Sequence, residues 1–145
     1  PMQNNLTVKA KKVHPDSTIP SYAHPGDAGM DIYTGENFTL EPGQTGKVKT
    51  GVCLEIPDGY VGLIWDKSGL SINHGIKTLG GVIDSSYRGE VMIGVVNLGK
   101  ESYTFEKGHK VAQILIQKVE RVEVTETVEL SDTPRGEDGF GSTGK

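Results

Sequence analysis

Short runs rich in β-branched and aromatic residues, each cut off by a turn bearing glycine or proline, recur through the first 130 positions and restrict this chain to an all-β architecture. Residues 48–56, 60–65, 91–98, 111–116 and 122–130 read as strands from their composition and alternation. Between the runs lie Glu41-Pro42-Gly43, Pro57-Asp58-Gly59, Asn97-Leu98-Gly99-Lys100 and Glu106-Lys107-Gly108. Each offers a proline with preset φ or a glycine able to take positive φ, so adjacent runs are expected to form hairpins. Only 68–73 suits a helical turn or two, which Gly75 would end. Strand spacing of this kind fits an antiparallel sandwich, a jelly roll or a barrel, and spacing does not choose among them.

The chain has 145 residues, enough for one domain with its own core but too few for two ordinary domains and a linker. Its formal charge of −4 gives no global attraction to nucleic acid, and none is expected as a partner. Cys53 is the single cysteine, so an intrachain disulfide is excluded and a reducing, cytoplasmic setting is expected. No stretch approaches the roughly 20 apolar residues of a membrane span, and the first residues lack the apolar centre of a secretion signal. His14, His24, His74 and His109 are scattered, which argues against a zinc centre. Residues 131–145 break with what precedes them. Rich in glycine and polar groups and holding one aromatic, Phe140, they form no core and read as a flexible segment after a domain of residues 1–130.

Three carboxylates stand in glycine-flanked turns: Asp27 and Asp31 in Gly26-Asp27-Ala28-Gly29-Met30-Asp31, and Asp84 after Gly80-Gly81-Val82-Ile83. A carboxylate at a strand end is held by rigid backbone and can serve as a general base. The competing reading is a turn aspartate bonded to nearby amides. Tyr87 and Arg88 could face a ligand near Asp84, or fill the hairpin and neutralise Glu90 or Asp84. The last residues, Gly139-Phe140-Gly141-Ser142-Thr143-Gly144-Lys145, imitate part of a phosphate-loop pattern. They lack the preceding strand, the closing Ser or Thr and the following helix, so that reading is rejected. Glycine-flanked N–H groups with Ser142 and Thr143 hydroxyls, and a bidentate contact from Arg135, could still wrap a phosphate.

Five segments in order resemble the motifs of the homotrimeric dUTPase family, across about residues 24–144. They are Ala28-Gly29-Met30-Asp31-Ile32-Tyr33, Asp66-Lys67-Ser68-Gly69-Leu70, the run from Gly81 to Gly89, Gly108-His109-Lys110-Val111-Ala112-Gln113, and the run from Arg135 to Gly144. The resemblance implies a distorted jelly-roll subunit with one short helix, assembled as a homotrimer with shared active sites. It further implies Mg²⁺-assisted hydrolysis of dUTP to dUMP and diphosphate, which supplies dUMP for thymidylate synthesis and keeps uracil out of DNA. By the same resemblance Asp84 activates the water that attacks the α-phosphorus, and Gln113 helps place it. Lys67, Ser68 and Gly69 meet phosphates, while Leu79, Gly81, Val82 and Ile83 form the hairpin that reads uracil. Tyr87 packs on deoxyribose. Residues 131–145 become a lid in which Phe140 stacks on uracil and Arg135, Gly141, Ser142 and Thr143 hold the phosphates. Mg²⁺ is carried by the triphosphate, with no direct protein ligand and Asp31 as a contact through water.

Two departures from the family pattern stand out: Lys67 where arginine is usual, and Thr78 where some members carry a base-contacting asparagine. Glu137 and Asp138 add negative charge beside a phosphate site. A deaminating relative acting on dCTP and a catalytically silent nucleotide-binding module are the competing readings. The intact fifth motif counts against the deaminase, and Asp84, Gln113 and the lid residues count against the silent module.

Overall fold

The computed structural model describes residues 6–142 and 144, and among them ten strands and one helix. In chain order these are β1 Lys9–Lys12, β2 Met30–Tyr33, β3 Phe38–Leu40, β4 Thr45–Glu55, β5 Tyr60–Trp65, α1 Ser68–His74, β6 Ile76–Leu79, β7 Val82–Ile83, β8 Glu90–Asn97, β9 Tyr103–Phe105 and β10 Lys110–Lys118. Two four-stranded sheets, ordered β1-β4-β8-β6 and β2-β10-β5-β7, and a β3-β9 ribbon make up an antiparallel, distorted jelly roll. The expected all-β class with one short helix is what the chain forms.

Alternation along the strands builds the core. In β8, Val91, Ile93, Val95 and Asn97 point inward. Val48, Val52 and Leu54 of β4 and Ile64 of β5 join them, together with Ile114 of β10 and Phe105 of β9. Each large apolar side chain removed from water in this way contributes roughly 1.5–3 kcal/mol. Asn97 is the polar member, fully buried, and its side chain is satisfied at both ends. Nδ2 donates to the Leu40 and Glu101 carbonyls at 2.9 and 2.8 Å, while Oδ1 accepts the Gly99 N–H at 2.8 Å. One buried amide thereby shapes the 97–100 turn expected from sequence. Gly43, Gly59 and Gly108 take φ of 80°, 87° and 89° in the other three turns, and α1 ends at Gly75.

Residues 122–130 are not a strand. Among the described residues the last hydrogen bond joining this end of the chain to the body is Val119 N–H to the Gly59 carbonyl, 2.9 Å. Val122, Val124, Val128 and Leu130 are 76–99% exposed beyond it. Their alternation has the strand period, but a strand needs a partner for its N–H and C=O groups, and among the described residues this subunit gives it none. Conversely β1, β2, β3, β6, β7 and β9, each two to four residues long, escape any periodicity test. Among the described residues no helix is long and apolar enough to cross a membrane.

Candidate active site

Three adjacent antiparallel strands, β2, β10 and β5, bring the first, second and fourth motifs together at one end of the second sheet. Gln113 of β10 lies opposite Asp31 of β2 on one side and Trp65 of β5 on the other. Its Nε2 donates to the Asp66 carbonyl at 2.9 Å. Gly29 closes over this carboxamide: a Cβ there would come within 3.0 Å of Gln113 Cδ and 3.1 Å of its Cβ, and nearer still to Oε1. Glycine is required here by proximity, since Gly29 is not among the residues with positive φ.

Asp31 is 3% exposed and is clamped by two lysines. Lys67 Nζ lies 2.6 Å from Oδ1 and Lys110 Nζ 3.2 Å from Oδ2. The Lys110 approach is off the hydrogen-bonding direction, so Oδ2 has a nearby charge but no aligned donor. Burial pushes the Asp31 carboxyl up, but the Lys67 hydrogen bond and the adjacent Lys67 and Lys110 ammonium groups outweigh it and hold the group below the ordinary aspartate value. Lys110 is a member of the site that sequence reasoning missed, for a definite reason. It lies three positions before Gln113, a spacing that puts the two on opposite faces of a regular strand. A bulge between Lys110 and Ala112 inserts one residue, and both side chains then reach the Asp31 side.

Asp66 follows β5 directly. Oδ1 accepts the Thr78 N–H at 2.7 Å and Oδ2 pairs with Lys77 Nζ at 2.8 Å. Burial raises its pKa, whereas the Lys77 and Thr78 hydrogen bonds and the Lys77 charge lower it further, for a net depression. Thr78 is itself buried and its N–H is taken by Asp66, so the position where some family members offer an asparagine is turned inward. Ser68 and Gly69 open α1 on the exposed side of Lys67.

The hairpin expected around 79–82 is instead a turn between sheets: β6 pairs with β8 and β7 with β5, and Gly80-Gly81 carry the chain from one sheet to the other. Leu79 and Val82 are exposed, Ile83 is half-buried opposite Gly62, and the Gly81 carbonyl accepts the Ile64 N–H at 2.8 Å. Asp84 follows β7 with its side chain exposed, beside Tyr60, Val61, Ser85 and Ser86 in a cleft of about 410 Å³. Tyr87 N–H donates to the Asp84 carbonyl at 3.1 Å, and its hydroxyl donates to the Glu90 carbonyl at 2.7 Å. Arg88 neutralises neither Glu90 nor Asp84. It braces the turn, donating to the Ser85 and Tyr87 carbonyls at 2.6 and 3.1 Å, with Glu55 3.7 Å away. Asp27 is a turn aspartate, its Oδ2 accepting the His24 N–H at 3.0 Å.

Asp84 and Gln113 do not meet within one subunit. They lie on opposite sides of β5, because Leu63 and Gly62 pair with Val82 and Ile83 whereas Trp65 pairs with Gln113. Continuing that register sets Asp84 level with Val61, about 15 Å from Gln113 at ordinary strand spacings. The fifth motif stands apart from both. Among the described residues every hydrogen bond of 120–144 stays within that segment, such as Arg135 Nε to the Asp138 carbonyl at 2.7 Å. Phe140, Gly141 and Ser142 are exposed, and Thr143 lies outside the described residues.

The family model for dUTPase matches residues 16–144. The deoxyuridine 5'-triphosphate nucleotidohydrolase of Clostridioides difficile is 42% identical over 139 residues, spanning 94% of this chain and 97% of that protein. That of Streptomyces avermitilis is 44% identical, spanning 96% of this chain and 81% of that protein. Among solved structures, a point mutant of the Staphylococcus bacteriophage 80alpha dUTPase with dUpNHpp superposes with a TM-score of 0.92 at 30% identity, covering 98% of this chain and 100% of that one. A mutant dUTPase from phage phi11 of S. aureus, whose structure describes the coordination of a structural Mg(II) ion, gives 0.80 at 27% identity over 85% of this chain and 97% of that one. With five motifs in order, the same fold and near full-length similarity, the chain belongs to the dUTPase family.

Proposed function

We propose that this chain is a dUTP diphosphatase, hydrolysing dUTP to dUMP and diphosphate and thereby supplying dUMP for thymidylate synthesis while keeping uracil out of DNA. The observation that carries the reading is the assembly of Asp31 of β2, Lys67 before α1 and Gln113 of β10, at one end of the sheet beside Ser68 and Gly69. Lys67 and the Ser68-Gly69 turn form the phosphate-binding side. Asp84, exposed and held at a strand end, takes a proton from the water as its oxygen bonds to the α-phosphorus. The bond to the bridging oxygen breaks, and diphosphate leaves. Gln113 orients that water. Tyr87 packs on deoxyribose, and Leu79, Gly81, Val82 and Ile83 read uracil through the turn backbone.

The separation of Asp84 from Gln113 supports a homotrimer in which one subunit's 79–84 segment completes its neighbour's phosphate site. The unpartnered arm carrying Val122, Val124, Val128 and Leu130 supports it too, since an alternating apolar strand of this kind finds its partner on another chain. Residues 131–145 then act as a lid, with Phe140 on uracil and Arg135, Gly141, Ser142 and Thr143 on the phosphates. The same reading places the enzyme in the cytoplasm, in keeping with the unpaired Cys53.

Mg²⁺ is the metal of this reading. Among the described residues no group of three or more His, Cys, Asp or Glu side chains stands together, and both Asp31 oxygens face lysine ammonium groups, an arrangement suited to a counter-ion. In this reading the ion is carried by the triphosphate, whose charge it would neutralise when bound. An Mg²⁺-dependent product assay offering dUTP, UTP, dCTP and dTTP separately tests the function. Diphosphate from dUTP alone is expected; ammonia from dCTP would assign the chain to the deaminating branch instead.

A further inference from the structure

The turn that would read the base joins β6, laddered to β8, to β7, laddered to β5, and further bonds tie it on either side. On the β7 side the link is backbone, Ile64 N–H to the Gly81 carbonyl at 2.8 Å. On the β6 side the ladder to β8 runs as far as Leu79 opposite Gly94, and the outer edge of the strand is tied by one side chain. β6 is an edge strand of the first sheet, and the Thr78 N–H faces away from its only ladder partner, β8. Asp66 supplies the missing acceptor at 2.7 Å and fixes the next side chain, Lys77, at 2.8 Å. The residue after Thr78 is Leu79, where the exposed turn begins. Asp66 directly follows the second sheet's strand β5, so this one carboxylate spans the gap between the two sheets at the point where the chain crosses from β6 to β7. The Asp66 carbonyl also holds the Gln113 carboxamide at 2.9 Å, and Lys67, the next residue, is held by Asp31 at 2.6 Å.

We propose that Asp66 is a positioning residue for base discrimination: by holding Thr78 and Lys77 it sets the conformation of the 79–82 turn, and by its carbonyl it keeps Gln113 in register with that turn. This rests on the dUTP reading above. A backbone surface distinguishes uracil from cytosine or thymine only if its donors and acceptors are fixed to within a fraction of an ångström. The Gly80-Gly81 pair, with φ of 70° and 119°, has no side chains to resist a change of shape. The rigidity has to come from the anchors. The Thr78 contact is a charge-assisted hydrogen bond, of the kind roughly twice as strong as a neutral one. Asp66 touches no reacting atom in this scheme, and its contribution passes through the turn and Gln113.

The test compares wild type with Asp66→Ala, Asp66→Asn and Lys77→Met in the intact protein, measuring kcat and KM separately for dUTP, dCTP and dTTP alongside thermal melting. Asp66→Ala is expected to raise KM for dUTP and lower the dUTP preference over dCTP and dTTP by about tenfold or more, as a lost buried acceptor does to an ordered polar surface. Asp66→Asn keeps an Oδ1 acceptor for Thr78 and should recover most of that preference. Lys77→Met should fall between wild type and Asp66→Ala. A folded Asp66→Ala protein with unchanged preference overturns the proposal, as does a fall in stability and kcat with no change in preference. Should Asp66→Ala not fold, loss of preference in Lys77→Met decides in favour, and an unchanged preference there decides against. Failure of wild type to hydrolyse dUTP would instead strike the functional reading itself.

Discussion

Replacing Gly29 with alanine should damage catalysis far more than stability. The added methyl would sit 3.0 Å from Gln113 Cδ and 3.1 Å from its Cβ, against about 3.5–4.0 Å for relaxed carbon contacts. β10 cannot move away, because Gln113 is paired to Asp31 and Trp65 on both sides. The side chain must therefore swing by several tenths of an ångström at Cδ and by more at the amide, and leave the Asp66 carbonyl that Nε2 now meets at 2.9 Å. The hydrogen bond lost is a net ~0.5–1.5 kcal/mol, and an off-rotamer torsion adds ~0.5–1.5 kcal/mol. Reduced freedom of the unfolded chain returns about 0.4–1 kcal/mol, leaving a destabilisation of about 1 kcal/mol and a melting shift of about 3 °C. Moving the water-orienting group by close to 1 Å should cost about 10²-fold in turnover. Steady-state kinetics with dUTP, read beside a melting curve, separates the two effects. A Gly29→Ala enzyme with kcat within about threefold of wild type would refute the role given to Gln113.

Three further outcomes follow from the same geometry. Asp84→Asn should lower kcat by at least about 10²-fold while nucleotide binding measured by calorimetry persists; near-normal turnover would remove the general-base assignment. Deleting residues 132–145 should leave the core and the oligomeric state in sedimentation unchanged, since among the described residues that segment makes no hydrogen bond to the body, but abolish most hydrolysis. Acid stability should depend on Asp31. Its folded pKa lies below the unfolded value of 3.8, so it stabilises the fold above that pH and the contribution is lost as pH falls through the depressed folded value. Lys110→Met should raise the folded pKa and bring the loss on at higher pH, measurable by chemical denaturation from neutral pH downward; an acid limb that stays where wild type has it would contradict the clamp.

Most of the covalent and local logic was legible before any coordinates. Turns at Pro57-Asp58-Gly59 and Glu106-Lys107-Gly108, the helix ended by Gly75, and the long strands β4, β5, β8 and β10 follow from φ preferences and period-two burial, which act within a few residues. The motifs also marked Asp31, Asp84 and Gln113. Which of these share a space was not legible. Lys110 joins Asp31 only because a bulge offsets β10 by one residue, and Asp66 governs the turn only because β5 and β6 lie in different sheets that meet there. The 122–130 run has a strand's sequence but no strand's structure, because hydrogen-bond partners are a property of the surroundings and not of the segment. Local sequence thus determined which residues could carry the chemistry. Strand register, set by the packing of the whole core, decided that Gln113 and Asp84 stand about 15 Å apart in one subunit.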